Sequence, residues 1–226
     1  LPVRAELENK AMGTMRPVTY PAADGTMIPA YLTLPPGSDG RNLPAVVLPH
    51  GGPSARDEWG FDWLVQFLTA LGFAVLQPNY RGSSGYGEAW YGKNGFKAWD
   101  VAIGDVNDAG RWLVKEGIAR GDQLAILGWS YGGYAALQSQ VLDPALFKAV
   151  VAIAPAVAAT AVAVAAATAV AVAVVVDAKA AAATAAAVVV TALAPMVVSA
   201  ALTARAPVAL VATTTTKVIE LSLNTP

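Results

Sequence analysis

Apolar and polar residues alternate along the first 155 positions in short blocks, and their period switches repeatedly between that of a strand and that of a helix. Residues 17–20 and 27–34 have strand character and are joined by a predicted turn at Asp24-Gly25. Further on, short runs that are almost wholly apolar are typical of central parallel strands buried on both faces. These runs are residues 45–48, 73–77, 124–127 and 147–154.

Three stretches with helical spacing lie between these strands, at residues 61–73, 100–117 and 134–142. Gly72 and Gly117 stand where the first two are expected to end. The apolar residues that recur at helical spacing are Trp63, Phe67 and Leu71 in the first stretch, and Val106, Ala109 and Leu113 in the second. This alternation of strands and helices predicts an α/β fold with a mostly parallel sheet and helices on both faces.

Composition excludes several classes of partner. With 15 Lys+Arg against 16 Asp+Glu the net charge is −1, so neither a nucleic acid nor a membrane is predicted as a partner. The lack of cysteine excludes disulfides and thiolate metal sites, and the sequence predicts no metal and no cofactor. The first residues lack the layout of a signal peptide. We expect a soluble protein, cytoplasmic or periplasmic, and the sequence leaves a homo-oligomer open.

The composition changes abruptly after about Pro155. All 20 glycines fall at or before Gly133 and the last aromatic residue is Phe147, whereas the remainder is mostly Ala, Val and Thr. Three interpretations are open: a membrane span within residues 149–176, a genuine low-complexity segment, or residue identities assigned by side-chain size rather than read from a gene. We favour the third, and the residue types after about Pro155 are then weak evidence about chemistry.

The hexapeptide GWSYGG at residues 128–133 is the strongest chemical signal in the chain. It follows an apolar strand and precedes a helix, which is the setting of a nucleophile elbow, a sharp turn that presents a serine. Glycines on both sides permit such a turn. The pattern predicts Ser130 as the catalytic nucleophile. It also predicts the backbone N–H of Tyr131, at the helix start, as a donor to the developing oxyanion.

A second glycine-rich turn, PHGGP at residues 49–53, predicts the other half of an oxyanion hole, with Gly52 as the donor. The only histidine of the sequence, His50, lies in this turn. An elbow serine is followed along the chain by its acid and then its histidine, whereas His50 precedes Ser130. We therefore expect His50 to shape the turn by hydrogen bonding and not to act as the general base.

Together with NYRGSSGYG at residues 79–87, these two turns resemble the prolyl oligopeptidase family of serine peptidases, in its acylaminoacyl-peptidase and dipeptidyl-peptidase branch. The resemblance extends over residues 16–155. It implies an α/β-hydrolase catalytic domain at residues 16–226, incomplete at its C-terminus. Residues 1–15 would then be a linker or the end of a preceding β-propeller that is absent here.

The same resemblance implies hydrolysis of short peptides through an acyl-enzyme on Ser130, with the backbone donors already named. Arg81 matches the arginine of the family's NYRGS segment. A structural ion pair of Arg81 with Asp105 or Asp108 is nevertheless its expected role.

The tail departs from the family pattern. The resemblance implies an acid about eighty residues beyond the serine, at the end of an apolar strand, and a histidine about thirty residues further on. The strand would be residues 207–211, buried, parallel and beside the strand that precedes the elbow. The chain has threonines after it, and Thr214 and Thr216 stand at the candidate acid positions. The histidine would fall beyond Pro226, so no catalytic histidine is identified in this sequence.

Two other functions are open alternatives. The same fold and nucleophile would serve a carboxylesterase or acyl transferase. A tail taken literally, without acid or base, predicts a catalytically inactive domain used for binding or assembly. Labelling with a fluorophosphonate separates the inactive domain from the enzymes, and turnover of peptides against esters separates the two enzymes.

Overall fold

The computed structural model describes residue 7, residues 9–91 and residues 98–153, together with two short tail strands. Within these ranges the chain forms an eight-stranded sheet and four helices. The strands are β1 Thr14–Pro21, β2 Met27–Leu34, β3 Leu43–Val47, β4 Ala74–Pro78, β5 Ala119–Trp129, β6 Ala149–Ile153, β7 Ala171–Val175 and β8 Leu210–Ala212. The helices are α1 Trp63–Ala70, α2 Glu88–Tyr91, α3 Trp99–Lys115 and α4 Tyr131–Leu142.

The sheet has the strand order β1-β2-β4-β3-β5-β6-β7-β8. The pairs β1–β2 and β2–β4 are antiparallel, and every other pair is parallel, which confirms the predicted mostly parallel sheet. The predicted hairpin is also confirmed, although β1 begins at Thr14, three residues before the predicted strand. Main-chain pairing continues to Thr14↔Leu34 through residues whose side chains are largely exposed, and these residues give no clear hydrophobic signal.

The position predicted for the tail strand is wrong. Leu210–Ala212 is a parallel strand, but it pairs with β7, and β6 and β7 separate it from β5. From β5 onward the strand order follows the chain order, so each new strand is added beside the preceding one and the last lies farthest from the elbow. The candidate acid positions Thr214 and Thr216 lie outside the described residues.

Two apolar cores lie on opposite faces of the sheet, because successive strand residues point to opposite sides. On one face Leu76 and Ile126 belong to a core shared with α3 and α4, and on the other face Val75 and Leu127 belong to a core shared with α1. Burying one such side chain stabilises the fold by about 2 kcal/mol. The predicted covering of both faces by helices is confirmed.

Val106, Ala109 and Leu113, which the spacing predicts on one face of a helix, lie on α3 and are completely buried. Of the three apolar residues noted at helical spacing in α1, only Phe67 packs against the core, where it is partly buried. Trp63 and Leu71 are 51% and 40% exposed, and the sheet is instead covered by a second apolar stripe that includes Val65 and Leu68. Within the described part of the chain, none of the helices has the length and hydropathy needed to cross a bilayer.

Candidate active site

Ser130 occupies a strained turn between β5 and α4. Its backbone has φ 56° and ψ −117°, a conformation that costs a non-glycine residue about 1–3 kcal/mol and persists only where the surroundings impose it. Its N–H donates to the carbonyl of Ile153 at 2.9 Å, and its own carbonyl accepts from the N–H of Tyr134 at 3.0 Å. The side chain is exposed. The turn therefore holds the backbone of Ser130 and presents its hydroxyl.

The glycines of the elbow are required by the close approach of backbones. A Cβ added to Gly128 would lie 2.1 Å from the carbonyl oxygen of Gly132. A Cβ added to Gly132 would lie 2.2 Å from the carbonyl oxygen of Pro49. The second contact shows that the elbow packs directly on the backbone that begins the PHGGP turn, which we call the oxyanion turn.

The oxyanion turn also lies close to the nucleophile itself. A Cβ built on Gly51 would lie 3.2 Å from the carbonyl oxygen of Trp129 and 3.7 Å from Cβ of Ser130. The two predicted oxyanion donors are the residues that follow this contact on each side, Gly52 and Tyr131. Gly52 has φ 122°, and Tyr131 is the buried first residue of α4, at the positive end of the helix dipole. Their catalytic roles stay predictions.

Side chains from the segment after β4 hold the oxyanion turn. Nδ1 of His50 lies 2.7 Å from the carbonyl oxygen of Gly51, and Nε2 lies 2.7 Å from the hydroxyl of Ser83. The ring stacks on Tyr80 with centroids 4.4 Å apart, and the Tyr80 hydroxyl donates to the carbonyl of His50 at 2.8 Å. Burial lowers the pKa of His50 to about 4. The hydrogen bonding predicted for His50 is observed.

The expected ion pair of Arg81 with Asp105 is confirmed. Two guanidinium nitrogens donate to the wholly buried carboxylate, at 2.6 Å from Nη2 and 2.9 Å from Nε, and the Arg81 N–H adds a third bond at 2.9 Å. Arg81 also pairs with Asp24 in the hairpin turn, whereas Asp108 pairs with Arg111. These hydrogen bonds raise the pKa of Arg81 above its usual value. Arg81 thus connects the segment after β4 to α3 and to the hairpin.

A second polar cluster holds the chain between the oxyanion turn and α1. The backbone N–H of Asp57 donates to Oδ1 of Asn79 at 2.8 Å, and Nδ2 of Asn79 donates back to the Asp57 carbonyl at 3.1 Å. Nε2 of Gln77 donates to Oδ1 of Asp57 at 3.0 Å. Within the described residues, Oδ2 of Asp57 and Oε1 of Gln77 are buried without a hydrogen-bond partner. Burial raises the pKa of Asp57 to about 7.

Sequence reasoning did not single out Tyr80, Ser83 or Asp57. Tyr80 and Ser83 lie at least thirty positions from His50, and no local spacing relates side chains on separate strands. Their segment was noticed only through NYRGSSGYG as a whole. No group of three or more His, Cys, Asp or Glu side chains suited to a metal ion occurs among the described residues.

Comparison with known proteins identifies the family of this site. The model of the prolyl oligopeptidase family matches residues 59–174, which is 116 of the 226 residues. The chain belongs to the prolyl oligopeptidase family. The resemblance predicted from the three motifs is thereby confirmed, and the family match extends it to residues beyond Pro155.

Several named relatives and solved structures are similar to this chain. Dipeptidyl aminopeptidase BIII of Pseudoxanthomonas mexicana is 38% identical over 157 residues, covering 66% of this chain and 23% of the relative. The human acylamino-acid-releasing enzyme is 32% identical over 126 residues, covering 55% and 17%. The structure of a puromycin-hydrolyzing peptidase of Mycobacterium tuberculosis has a TM-score of 0.61 and 32% identity, covering 67% of this chain and 24% of that one. The chain thus spans about a quarter of the length of these proteins or less.

Proposed function

We propose that this chain is the catalytic portion of a serine peptidase that hydrolyses short peptides through an acyl-enzyme on Ser130. The observation that carries the proposal is the exposed Ser130 in a strained turn at the start of α4, in contact with a second glycine-rich turn. The peptide substrate is supported by membership of the prolyl oligopeptidase family and by relatives named for dipeptidyl and acylamino-acid release.

In the proposed reaction Oγ of Ser130 attacks the carbonyl carbon of the scissile peptide bond. The carbonyl oxygen becomes an oxyanion, which the backbone N–H groups of Gly52 and Tyr131 stabilise. The proton of Ser130 passes through a general base to the leaving amine, and water then hydrolyses the ester by the reverse sequence. No cofactor takes part in these steps.

His50 is a poor candidate for that base. Both ring nitrogens already have partners at 2.7 Å, and a pKa of about 4 is far below the value that suits proton transfer at neutral pH. We propose that a histidine absent from the 226-residue sequence serves instead. Thr214 and Thr216 remain the proposed acid positions, and an encoded Asp or Glu would be needed at one of them, because threonine supplies no charge.

Replacing Ser130 with alanine in the intact protein tests the proposal. Peptide turnover should fall by several orders of magnitude, as for other catalytic serines. A fluorophosphonate should label the wild type and not the variant. Retention of more than about a tenth of the activity would contradict the assignment. Turnover of simple esters without detectable turnover of peptides by the wild type would favour the carboxylesterase alternative.

The His50→Ala variant tests the exclusion of His50 as the base. It should retain more activity than Ser130→Ala, because the loss would come from a disturbed turn and not from a missing proton acceptor. Circular dichroism and thermal unfolding establish that the variant is folded. Equal and complete loss in both folded variants would contradict the exclusion of His50 as the base.

A further inference from the structure

We propose that Asp57 is a positioning residue, which as a protonated acid pairs with the amide of Gln77 and fixes the chain that follows the predicted oxyanion donor Gly52. Loss of this proton releases that chain and lowers peptidase activity. This inference rests on the proposed function, since it assigns a role within the same site. The pair joins the chain after the oxyanion turn to β4 and is separate from the contacts of His50.

The hydrogen bonds of Asp57 and Gln77 do not balance when the carboxyl group is ionised. Nε2 of Gln77 donates to Oδ1 of Asp57 at 3.0 Å, but Oδ2 of Asp57 and Oε1 of Gln77 are buried without a partner among the described residues. Gln77 is only 3% exposed. A carboxylate and an amide oxygen both accept hydrogen bonds, so neither can satisfy the other. Two buried acceptors would then lack a donor, which folded proteins rarely tolerate.

A single proton on Oδ2 of Asp57 satisfies both atoms. The two oxygens that lack a partner belong to the same carboxyl and amide groups that the bond at 3.0 Å already joins. A carboxylic acid and a primary amide can form two hydrogen bonds side by side, one from the amide N–H and one from the acid O–H. Protonated Asp57 therefore donates from Oδ2 to Oε1 of Gln77, and the two side chains form a closed pair.

The charges around Asp57 also favour the neutral acid. Burial is the main cause that raises the pKa of Asp57 to about 7, and the carboxylate of Asp62 at the start of α1 acts in the same direction, against the hydrogen bond from Gln77. Within the described residues no Lys or Arg forms an ion pair with Asp57, and the adjacent Arg56 pairs with Glu58. The other titratable groups on this side, from β2 and from the segment after β4, supply no positive charge: Tyr31, Tyr80 and Tyr86.

The chain between Gly52 and Asp57 is compact, so a movement of Asp57 affects the oxyanion donor. A Cβ built on Gly52 would lie 2.7 Å from the backbone nitrogen of Ser54 and 2.9 Å from that of Ala55. Asp57 follows two residues later, and its N–H and carbonyl are bonded to Asn79 at 2.8 and 3.1 Å. A carboxylate formed in this buried place moves towards water, because its charge is costly to bury. The movement strains the bonds to Asn79 and shifts the turn.

Ionisation of Asp57 should therefore impair the reaction step more than substrate binding. The pair is intact below the pKa of Asp57 and is lost above it, so turnover falls as the pH rises through about 7. Oxyanion donors act mainly on the transition state, and losing one entirely costs about 10²–10³ in kcat. A displaced donor should lower kcat about tenfold between about pH 6 and about pH 9, and should change KM less than about threefold.

The experiment compares the pH profiles of kcat of the wild type, Asp57→Asn and Glu58→Gln in the intact protein, using a chromogenic peptide substrate. An asparagine amide both donates and accepts, so it keeps the pair with Gln77 at every pH, and kcat of Asp57→Asn should fall less than about twofold at alkaline pH. Glu58→Gln removes the adjacent exposed carboxylate and should keep the wild-type profile. An alkaline fall of equal size in Asp57→Asn, or no fall in the wild type, would overturn the inference.

A readout independent of activity is the ¹³C NMR shift of the Asp57 carboxyl carbon, assigned through its bonds to the backbone of the same residue. In the wild type the shift should be that of a protonated acid at about pH 5.5 and should change to that of a carboxylate around pH 7. A carboxylate at about pH 5.5 would overturn the inference even if no variant folded. Failure of the proposed function is distinguishable, since an active Ser130→Ala variant would refute the nucleophile without changing this titration.

Discussion

The elbow and the oxyanion turn are both glycine-rich turns at the same edge of the sheet, yet different forces hold them. The elbow is held by backbone against backbone, with Gly128 and Gly132 so close to neighbouring carbonyls that no Cβ fits. The oxyanion turn is held by side chains from a distant segment, through His50, Tyr80 and Ser83. Backbone contacts admit little change, whereas hydrogen bonds can be weakened one at a time. A single substitution in the elbow should therefore cost a large part of the protein's stability, whereas single substitutions in the oxyanion turn should each cost a small part.

The largest effect is expected for Gly132→Ala, which adds a Cβ 2.2 Å from the Pro49 carbonyl. The two turns would have to separate, and we expect a loss of about 4 kcal/mol in the free energy of unfolding, or failure to fold. Urea unfolding measures the loss. The control is Gly104→Ala in the interior of α3, where the added Cβ would meet no atom within 4 Å beyond its own stretch of helix, and the change should stabilise by about 0.5–1 kcal/mol. A Gly132→Ala variant as stable as the wild type would show that close backbone packing does not hold the elbow.

A smaller effect, dependent on pH, is expected at Asp57, which ties the chain after the oxyanion turn to β4. An unfolded aspartate ionises near pH 3.8, whereas native Asp57 keeps its proton to about pH 7. Between these values the native state binds more protons than the unfolded state, so stability falls as pH rises. We expect the free energy of unfolding to fall by about 2 kcal/mol between these pH values. This is half of the free energy that corresponds to the whole pKa shift, because the residue is only partly buried.

The control for this pH dependence is Asp57→Asn. An asparagine amide would still accept from Gln77 and would donate to the buried Oε1 of Gln77, which lacks a partner in the described structure. Its stability should therefore change less between pH 4 and pH 7.5 than that of the wild type. Equal pH dependence of the two proteins, measured by urea unfolding, would show that Asp57 is ionised in the native state.

Gly51→Ala is the counterpart of Gly132→Ala within the oxyanion turn. The added Cβ would lie 3.2 Å from the Trp129 carbonyl, a contact that a shift of a few tenths of an ångström relieves. We expect a loss of about 1–2 kcal/mol in stability. The same Cβ would lie 3.7 Å from Cβ of Ser130, at the edge of the reacting site. We therefore expect peptide turnover to fall even under conditions in which the variant is fully folded. A loss of stability as large as that of Gly132→Ala would show that the two turns are equally intolerant.

The smallest effect is expected for Tyr80→Phe, which removes the hydrogen bond to the His50 carbonyl and keeps the ring stacked on the imidazole. One such bond contributes about 1 kcal/mol. Thermal unfolding should therefore show a small loss of stability. The kcat for a peptide should decline modestly, because Ser83 still holds the ring. A change of several kcal/mol would show that the hydroxyl, and not the stack, is the main support of the turn.

The sequence by itself determined the features that depend on neighbours along the chain. The alternation of strands and helices, the hairpin at Asp24-Gly25, the inward face of α3 and the elbow around Ser130 all follow from spacing within about twenty residues. The motif also predicts the need for glycine at position 132, because a nucleophile elbow requires close packing of strand and helix.

Only the tertiary structure decided the features that join distant segments. Helix α1 has two apolar stripes, and the sheet selects the one containing Val65 and Leu68, which no local spacing reveals. The tail strand lies at the far edge because the order of strands is a property of the whole sheet. The sequence around His50 shows no partner for its ring. Because β3 pairs in parallel with β4, the segment that follows β4 places Tyr80 and Ser83 beside His50. Contacts of this kind depend on which strands become neighbours in the sheet, and the periodicity of a single strand does not predict its neighbours.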